Sequence, residues 1–317
     1  MNARHQAGAM SAATMTFALF FEDAQIGAWA RERTHALADK HPARVIVFDA
    51  ARPLGEGGDD RSTERGEWIE MGALGASDHE LAAALRANAL SEAPIVLAWI
   101  ANGLVSDARF GALAAIATTV ICSTSVIDVG ASGLHDLCAF RDAHPEIVVQ
   151  DIAYLRLAAW QDLIAGFFDE PELVEELSRI ERVELAAGSD PEMYYLLGWI
   201  ASRLGWAPCA PTQFCNREGA IVEFSLVREG APRRLERVVL ASANARFSAE
   251  VHADDPGAVC LRVEGAHARG ERCAPLHSLD IATLVERAIL MRRRDDIFDQ
   301  ALRMAKHLIE RAESATA

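Results

Sequence analysis

The sequence lacks any long uninterrupted apolar run. Its longest apolar stretches, residues 93–101 and 112–122, either fall short of the roughly 20 apolar residues that cross a bilayer or are broken by threonines. Residues 1–16 contain no sustained apolar segment, which is a poor fit to a secretory signal, and we expect a disordered tail there. We therefore expect no membrane span.

Positive charge is also scarce. The 31 lysines and arginines face 46 aspartates and glutamates, so the formal net charge is −15. Such a field repels phosphate backbones, and we expect no nucleic-acid partner. The run Arg292-Arg293-Arg294 is typical of a solvated turn, but it also suits a docking patch for an acidic partner.

The cysteine pattern shows no CxxC motif and no framework typical of small secreted domains. We therefore expect a reduced, cytoplasmic protein. Cys209 and Cys215, which lie near prolines, have two interpretations: a redox pair, or two ordinary small apolar residues. The six cysteines are Cys122, Cys138, Cys209, Cys215, Cys260 and Cys273.

Sequence motifs for cofactors and catalysis are missing as well. No G-x-G-x-x-G follows the strand expected at residues 44–49, and there is no phosphate-binding G-x-x-x-x-G-K-[ST]. The histidines lack HxxxH spacing and no serine lies in a G-x-S-x-G elbow, so we assign no cofactor, metal ligand or catalytic residue. A chain of this size without a catalytic motif is typical of a protein that binds another protein.

The first half of the chain alternates strand and helix patterns, which predicts a mostly parallel sheet covered by helices. Residues 51–66 have no apolar period and predict a loop. Ser77 and Glu80 have capping-box spacing at the start of a helix. Strands are expected at residues 44–49, 68–71, 94–100, 119–122 and near Ile147, and helices at 22–39, 77–89 and 107–117.

The second half has a different pattern. A helix is expected from Ser189 or Asp190 to a stop at Gly205, and alternating apolar residues then predict an antiparallel sheet with one solvated face. The last 40 residues return to helix. We thus predict an α/β domain at 17–168 and an α+β domain at 169–317. Strands of the second domain are expected at 182–186, 220–228, 235–241, 247–253 and 258–264.

Residues 144–168 carry the strongest local pattern, a short apolar strand that leads into a helix capped by Asp151. At 100° per residue, four apolar side chains share one stripe about 80° wide. Arg156 points into this stripe, so it must reach solvent, stack on Trp160, or meet an acceptor from elsewhere. The apolar residues of the stripe are Leu157, Trp160, Ile164 and Phe167.

The frame of Asp151, Arg156, Leu157 and Trp160 resembles the signature of the glucose-6-phosphate dehydrogenase assembly proteins, the OpcA family. Four further stretches resemble the family in order, so the resemblance spans most of residues 42–302. The chain departs from the family pattern at Ala98, Tyr154, Leu155, Ala159 and Gln161, and at Gln161 it lacks the arginine that is usual there. The further stretches are residues 42–47, 93–99, 196–206 and 296–302.

The resemblance implies a non-catalytic partner of glucose-6-phosphate dehydrogenase that promotes assembly of the active oligomer in the oxidative pentose phosphate pathway. Trp, Tyr and Arg dominate interface energetics, which makes those of the resembling stretches candidate contacts. The same residues on patterned helices also suit a core. The candidates are Tyr154, Arg156, Trp160, Trp199, Arg203 and Trp206.

Two other hypotheses stay open at this point. The chain could bind a sugar phosphate or nucleotide at the carboxyl ends of its parallel strands, near residues 99–103 and the hydroxyl run Ser123-Thr124-Ser125. Alternatively, it could be a divergent homologue with another protein partner, since Ala98, Ala159 and Gln161 differ from the family pattern.

Overall fold

The computed structural model of the protein divides into two units. The structure describes residues 13–54, 61–63, 66–101, 104, 106–127, 132–210, 213–265, 268–277, 280–291 and 293–314. Described residues within 1–123, 140–150 and 281–294 form the first unit, and those within 124–139, 151–280 and 295–317 form the second. The boundary predicted near Phe168 stays a prediction, because these units reflect packing and not independent folding.

The first unit contains a seven-stranded sheet in the order β3-β4-β2-β1-β5-β6-β7. Neighbours from β4 to β6 pair in parallel, whereas β3 is antiparallel to β4. This confirms the predicted α/β class with a mostly parallel sheet. The strands are β1 (Met15–Phe21), β2 (Ala43–Pro53), β3 (Arg61–Thr63), β4 (Gly66–Leu74), β5 (Ile95–Ile100), β6 (Thr119–Cys122) and β7 (Val148–Asp151).

Helices connect these strands. The predicted capping box begins the second of them, since the Ser77 hydroxyl accepts from the Glu80 backbone N–H and the Glu80 carboxylate accepts from the Ser77 N–H at 2.9 Å. The helices between and after these strands are α1 (Ala24–Lys40), α2 (Asp78–Asn88), α3 (Ala108–Ala114), α5 (Ser132–Ala143) and α10 (Ile281–Leu290).

The central strand β1 was not predicted. Its sequence MTFALFF is buried along its whole length, and a strand buried on both faces shows no apolar/polar alternation that would separate it from a helix. The expected tail at 1–16 overlaps β1 at Met15 and Thr16, and residues 1–12 lie outside the described residues. The loop predicted at 51–66 is wrong in two places. Strand β2 continues to Pro53, and Arg61–Thr63 form a short polar strand at the edge of the sheet.

The second unit contains an eight-stranded sheet in the order β15-β14-β13-β12-β8-β11-β10-β9. It is antiparallel apart from the β8–β11 pair, so the predicted antiparallel sheet is confirmed. Strands β9, β10 and β15 were not predicted, because they are short or polar. The strands are β8 (Arg182–Ala187), β9 (Ala207–Ala210), β10 (Gln213–Cys215), β11 (Ile221–Arg228), β12 (Leu235–Ala241), β13 (Ala245–Val251), β14 (Ala258–Gly265) and β15 (Arg269–Pro275).

The helix predicted from Asp151 to Phe168 is divided in the structure. The Leu157 N–H bonds to the Tyr154 carbonyl at 2.9 Å, so the chain tightens there and a second helix begins. Gly205, in a left-handed conformation with φ 67°, ends the long helix α9 as predicted. The helices are α4 (Thr124–Ile127), α6 (Ile152–Leu155), α7 (Ala158–Ala165), a 3-10 turn (Gly166–Phe168), α8 (Pro171–Leu177), α9 (Asp190–Leu204) and α11 (Asp296–Ser314).

Helices α9 and α11 cross closely at Gly198. A Cβ atom added there would lie 2.2 Å from the carbonyl oxygen of Ala301, so only glycine permits this separation. Phe298, Ala301, Leu302 and Ala305 of α11 are buried at or near this crossing. The short spacing lets α11 cover α9 and places Phe298 against the aromatic residues described below.

Two disulfides correct the expectation of a reduced protein, and one of them joins the pair for which a redox interpretation was open. Cys209 bonds to Cys215 and Cys260 bonds to Cys273, with sequence separations of 6 and 13. Strand pairing brings each pair together, which cysteine spacing alone does not show. Cys122 and Cys138 are buried. Among the described residues, no helix is both long enough and apolar enough to cross a membrane.

Candidate functional site

The signature residues surround a polar cluster in the second unit, where β7 ends and α6 begins. Asp151 occupies the N-cap position of α6 and is fully buried. Thr124 begins α4, and Tyr195 comes from the middle of α9; both are also fully buried. The cluster therefore joins three chain segments that are distant in sequence.

Asp151 accepts four hydrogen bonds. The backbone N–H groups of Ala153 and Thr124 donate to its Oδ1 at 2.8 and 3.2 Å. The hydroxyls of Thr124 and Tyr195 donate to its Oδ2 at 2.7 and 2.8 Å. The carboxylate thus caps α6 and fastens α4 and α9 to the same point.

Burial raises the pKa of the Asp151 carboxyl above its ordinary value, and the hydrogen bonds from Thr124, Ala153 and Tyr195 oppose that rise only in part. All four donors are neutral, so no cation compensates the desolvation of the charge. The site holds an acidic group whose protonated form is favoured more than in an exposed aspartate.

An aromatic cluster lies beside the carboxylate. Tyr154, Tyr195 and Phe298 have ring centroids 5.0 to 5.8 Å apart. Burial and the nearby Asp295 raise the pKa of Tyr154 to about 12, although a hydrogen bond with Gln161 and the charge of Arg203 act the other way. Tyr154 and Gln161, both departures from the family pattern, therefore contact each other.

Arg156 meets an acceptor from another element, the third of the three outcomes expected for it. Its Nη1 donates to Glu192 Oε1 at 2.7 Å and to Ser125 Oγ at 3.4 Å. Glu192 is only 1% exposed, whereas the Arg156 side chain is 20% exposed. The other carboxylate oxygen of Glu192 accepts a hydrogen bond from the Ser189 hydroxyl. Ser189 occupies the N-cap position of α9, but its side chain makes no capping hydrogen bond to the backbone of that helix. The pair ties α9 to the chain after α6.

The six candidate contact residues divide by exposure. Tyr154, Trp160 and Trp206 are buried in the core. Trp199 and Arg156 are partly exposed, and Arg203 is exposed. Trp199 and Arg203 are four residues apart on α9, so they share one side of that helix. The structure thus leaves Trp199, Arg203 and part of Arg156 accessible at the surface.

Sequence reasoning missed the partners of Asp151 and Arg156. Glu192 had a detectable signal, since it follows Ser189 by the three residues of a capping box. Thr124 lies in the hydroxyl run after a predicted strand, but that run was considered for a phosphate and not for an internal carboxylate. Tyr195 carried no distinguishing local signal, because its contact with Asp151 depends on how α9 packs.

The carboxyl ends of β1, β2 and β4 in the first unit form a second polar region. Asp49 and Glu70, which are 4% and 8% exposed, both pair with Arg31 and with Arg52. Arg31 also lies over the ring of Phe21, with its Cζ 4.8 Å from the ring centroid. The side chains of this region neutralise one another.

The turn after β1 differs from a pyrophosphate-binding turn. It carries Glu22 and Asp23, and a Cβ atom added at Gly27 would lie 2.3 Å from the Phe21 ring. Arg109 donates to Glu22 at 2.7 Å and pairs with Asp107, which places charged side chains at this strand end. An acidic turn of this kind disfavours a phosphate anion.

The hydroxyl run after β6 is also engaged in the fold. Thr124 bonds to Asp151, and Ser125 accepts from Arg156. Ser123 differs, since its buried Oγ has no hydrogen-bond partner, and the Nε2 of Gln150 is likewise buried without one. Gln150 is in β7 and Ser123 directly follows β6, so both polar atoms belong to the carboxyl ends of parallel strands.

A protein-family comparison matches residues 147–302 to the C-terminal domain of a glucose-6-phosphate dehydrogenase subunit. The matched segment begins at the strand before Asp151 and ends in α11. It therefore contains Asp151, Arg156, Glu192 and Tyr195 of the cluster.

Curated relatives are OpcA proteins of cyanobacteria, whose name places them in the OxPP cycle. The protein of Synechococcus elongatus is 31% identical over 149 residues, which is 46% of this chain and 31% of the relative. The Synechocystis protein is 24% identical over 241 residues, which is 68% of this chain and 50% of the relative. The chain thus spans about a third to a half of the length of these relatives.

Solved structures with similar folds include a ketoreductase and a dehydrogenase. A 3-ketoreductase from Actinomadura kijaniata superposes with a TM-score of 0.54 at 11% identity, covering 94% of this chain and 97% of the reductase. A levoglucosan dehydrogenase gives a TM-score of 0.52 at 10% identity, with the same coverage of 94% and 97%. At such identities the likeness shows the fold alone.

The signature frame, the model match over residues 147–302 and the cyanobacterial relatives agree with one another. Residues 147–302 of this chain form a domain of the OpcA family.

Proposed function

We propose that this protein is a non-catalytic, cytoplasmic partner of glucose-6-phosphate dehydrogenase that promotes the active oligomer and raises its activity. The family match over residues 147–302, whose model is described as a domain of a subunit of that dehydrogenase, is the observation that carries the proposal. The polar clusters support it, because Asp151 and Glu192 have hydrogen-bonding partners within the chain.

The mechanism in this proposal is linkage. A partner that binds the active conformation of the dehydrogenase more tightly than the inactive one shifts the population towards the active form. A tenfold preference corresponds to about 1.4 kcal/mol. No chemical step by the partner is needed for such an effect.

The contact surface in this proposal includes Trp199 and Arg203 on α9. Arg203 is exposed, Trp199 is partly exposed, and residues of these two types commonly contribute much of the energy of an interface. Tyr154, Trp160 and Trp206 are buried, so they would act by holding α9 and its neighbours in shape. The charge of Arg203 suits an acidic site on the enzyme.

The test measures dehydrogenase activity at subsaturating glucose 6-phosphate, with and without this protein, together with light scattering of the mixture. The dehydrogenase should come from the same cell. We expect higher activity and a larger complex with the wild-type chain. We expect Arg203→Glu to weaken the effect about tenfold or more, because the substitution reverses an interface charge.

Arg86→Glu is the matched control. Arg86 is exposed on α2 and lies outside the matched residues, so its charge reversal should leave the effect unchanged. If neither activity nor complex size changes with folded wild-type protein, the proposed function is wrong. If Arg203→Glu acts like wild type while the wild-type effect is present, the function stands and the proposed surface is wrong.

A second candidate function is binding of a sugar phosphate. The buried, unpartnered Ser123 Oγ and Gln150 Nε2 favour it, because a bound ligand could satisfy such groups. Thermal shift with glucose 6-phosphate or NADP tests this candidate. A rise in the melting temperature that Ser123→Ala abolishes would support it, and no shift with either compound would exclude binding of these two ligands.

A further inference from the structure

The Cys260–Cys273 pair lies at one edge of the eight-stranded sheet. Strand β14 carries Cys260 and the edge strand β15 carries Cys273, and the two residues are direct partners in the antiparallel register. Their Cα atoms are 4.0 Å apart, so both sulfurs lie on the same face of the sheet. Cys260 is partly exposed and Cys273 is exposed, which leaves the pair open to small molecules.

A carboxylate lies beside the two sulfurs. Glu271 precedes Cys273 by two residues, at the point where the register between β14 and β15 shifts. The ligand atoms of Cys260, Glu271 and Cys273 all lie within 4.8 Å of one another. On the next strand, β13, Glu250 is the register partner of Cys260, so a second carboxylate occupies the same face.

The position of Glu271 is set by Arg262, whose Nη2 donates to its Oε2 at 2.6 Å. Arg262 follows Cys260 by two residues, so it too lies on this face. The sheet therefore supplies two sulfurs and a carboxylate that an arginine holds in position.

The other disulfide lacks this arrangement. Among the described residues, Cys260, Glu271 and Cys273 form the one group of three such ligand atoms close enough to share an ion. Cys209 and Cys215 bridge β9 and β10 at the opposite edge of the sheet without being part of such a group. This contrast provides a matched comparison within one chain.

We infer that Cys260, Cys273 and Glu271 form a binding site for a divalent, thiolate-preferring metal ion of the zinc class when the disulfide is reduced. A dithiol supplies the two electrons and two protons that convert the disulfide into two thiols, and the dithiol itself becomes a disulfide. Metal binding then releases two thiol protons to solvent. Two sulfurs and one oxygen leave a fourth tetrahedral position for water or Glu250.

The experiment uses the full chain, reduced with dithiothreitol and freed of reductant by gel filtration without oxygen. Co²⁺ serves as a spectroscopic probe and Zn²⁺ as its competitor. We expect thiolate-to-cobalt charge-transfer absorption at one ion per chain, removal of that absorption by Zn²⁺, and no absorption in oxidised protein. Glu271→Gln should weaken binding about tenfold or more, because it replaces an anionic ligand with an amide.

The paired double variants assign the site. Cys209→Ser with Cys215→Ser should retain the cobalt absorption, whereas Cys260→Ser with Cys273→Ser should abolish it. Both retain Cys122 and Cys138. The inference is overturned if reduced wild type gives no charge-transfer band or if the 260/273 variant retains it.

A measurement on wild type guards against a variant that fails to fold. Zn²⁺ should slow alkylation of Cys260 and Cys273 by iodoacetamide in reduced protein, as followed by peptide mass spectrometry. It should leave the alkylation rate of Cys209 and Cys215 unchanged. Equal protection of the two pairs, or protection of Cys209 and Cys215 alone, would contradict the assignment.

Discussion

The two polar regions at strand ends are built in different ways. In the first unit, Asp49 and Glu70 face the arginines Arg31 and Arg52, whose side chains are 22% and 35% exposed. In the second unit, Asp151 is fully buried and accepts from neutral donors only. The first region can exchange partners with water, and the second cannot.

This difference shows where the fold depends on one side chain. A partly exposed ion pair is screened and contributes little net stability. A buried carboxylate with four donors joins several elements, and its loss leaves buried donors without acceptors. The signature of the family therefore marks a structural junction as well as a candidate partner-binding region.

The largest effect is expected when Asp151 is replaced by alanine. The substitution removes the cap of α6 and leaves the hydroxyls of Thr124 and Tyr195 without their acceptor, which should lower the free energy of unfolding by about 3–5 kcal/mol. Urea denaturation followed by circular dichroism measures the change. Asp151→Asn is the matched control and should cost less, since its amide oxygen still accepts. Equal stability of wild type and Asp151→Ala would contradict the claim that Asp151 holds α4, α6 and α9 together.

A smaller effect is expected at Asp49. Asp49→Ala leaves Arg31 and Arg52 paired with Glu70 and partly exposed to water, so we expect a loss of about 1–2 kcal/mol. The same denaturation experiment measures it. A loss as large as that of Asp151→Ala would mean that the two regions do not differ as described.

The smallest effect concerns pH, and its sign differs between two aspartates. The raised pKa of Asp151 means that the folded state binds a proton more tightly than the unfolded state. Wild type should therefore gain stability relative to Asp151→Asn as the pH falls through the folded pKa, with the full gain reached below the unfolded pKa of about 3.9.

Asp107 in the first unit provides the opposite case. Burial acts to raise the pKa of its carboxyl, but the hydrogen bonds and charge of Arg109, together with the backbone N–H of Phe110, outweigh burial and lower it. Its stabilising contribution is present above the unfolded pKa and is lost as the pH falls through the folded pKa. The advantage of wild type over Asp107→Asn should shrink with acidification. Urea denaturation from about pH 3 to pH 7 measures both slopes, and slopes of equal sign would contradict this contrast.

Local sequence signals predicted several features of the fold. The capping box of Ser77 and Glu80, the stop at Gly205 and the cap at Asp151 depend on nearby residues, and the structure confirms them. Strand β1 was missed because a fully buried strand has no alternation to detect. The break between α6 and α7 was missed because both helices keep an apolar stripe across the break at Leu157.

The amino-acid sequence by itself determined the family signature, the alternation that separates a parallel from an antiparallel sheet, and the ends of α2 and α9, because each of these depends on residues within a few positions. Tertiary structure alone decided that Thr124 and Tyr195 both donate hydrogen bonds to Asp151 and that Arg156 pairs with Glu192. It also decided that Cys260 forms a disulfide with Cys273. These contacts join residues 13 to 44 positions apart. Strand register and helix packing set such distances, and no local periodicity encodes them.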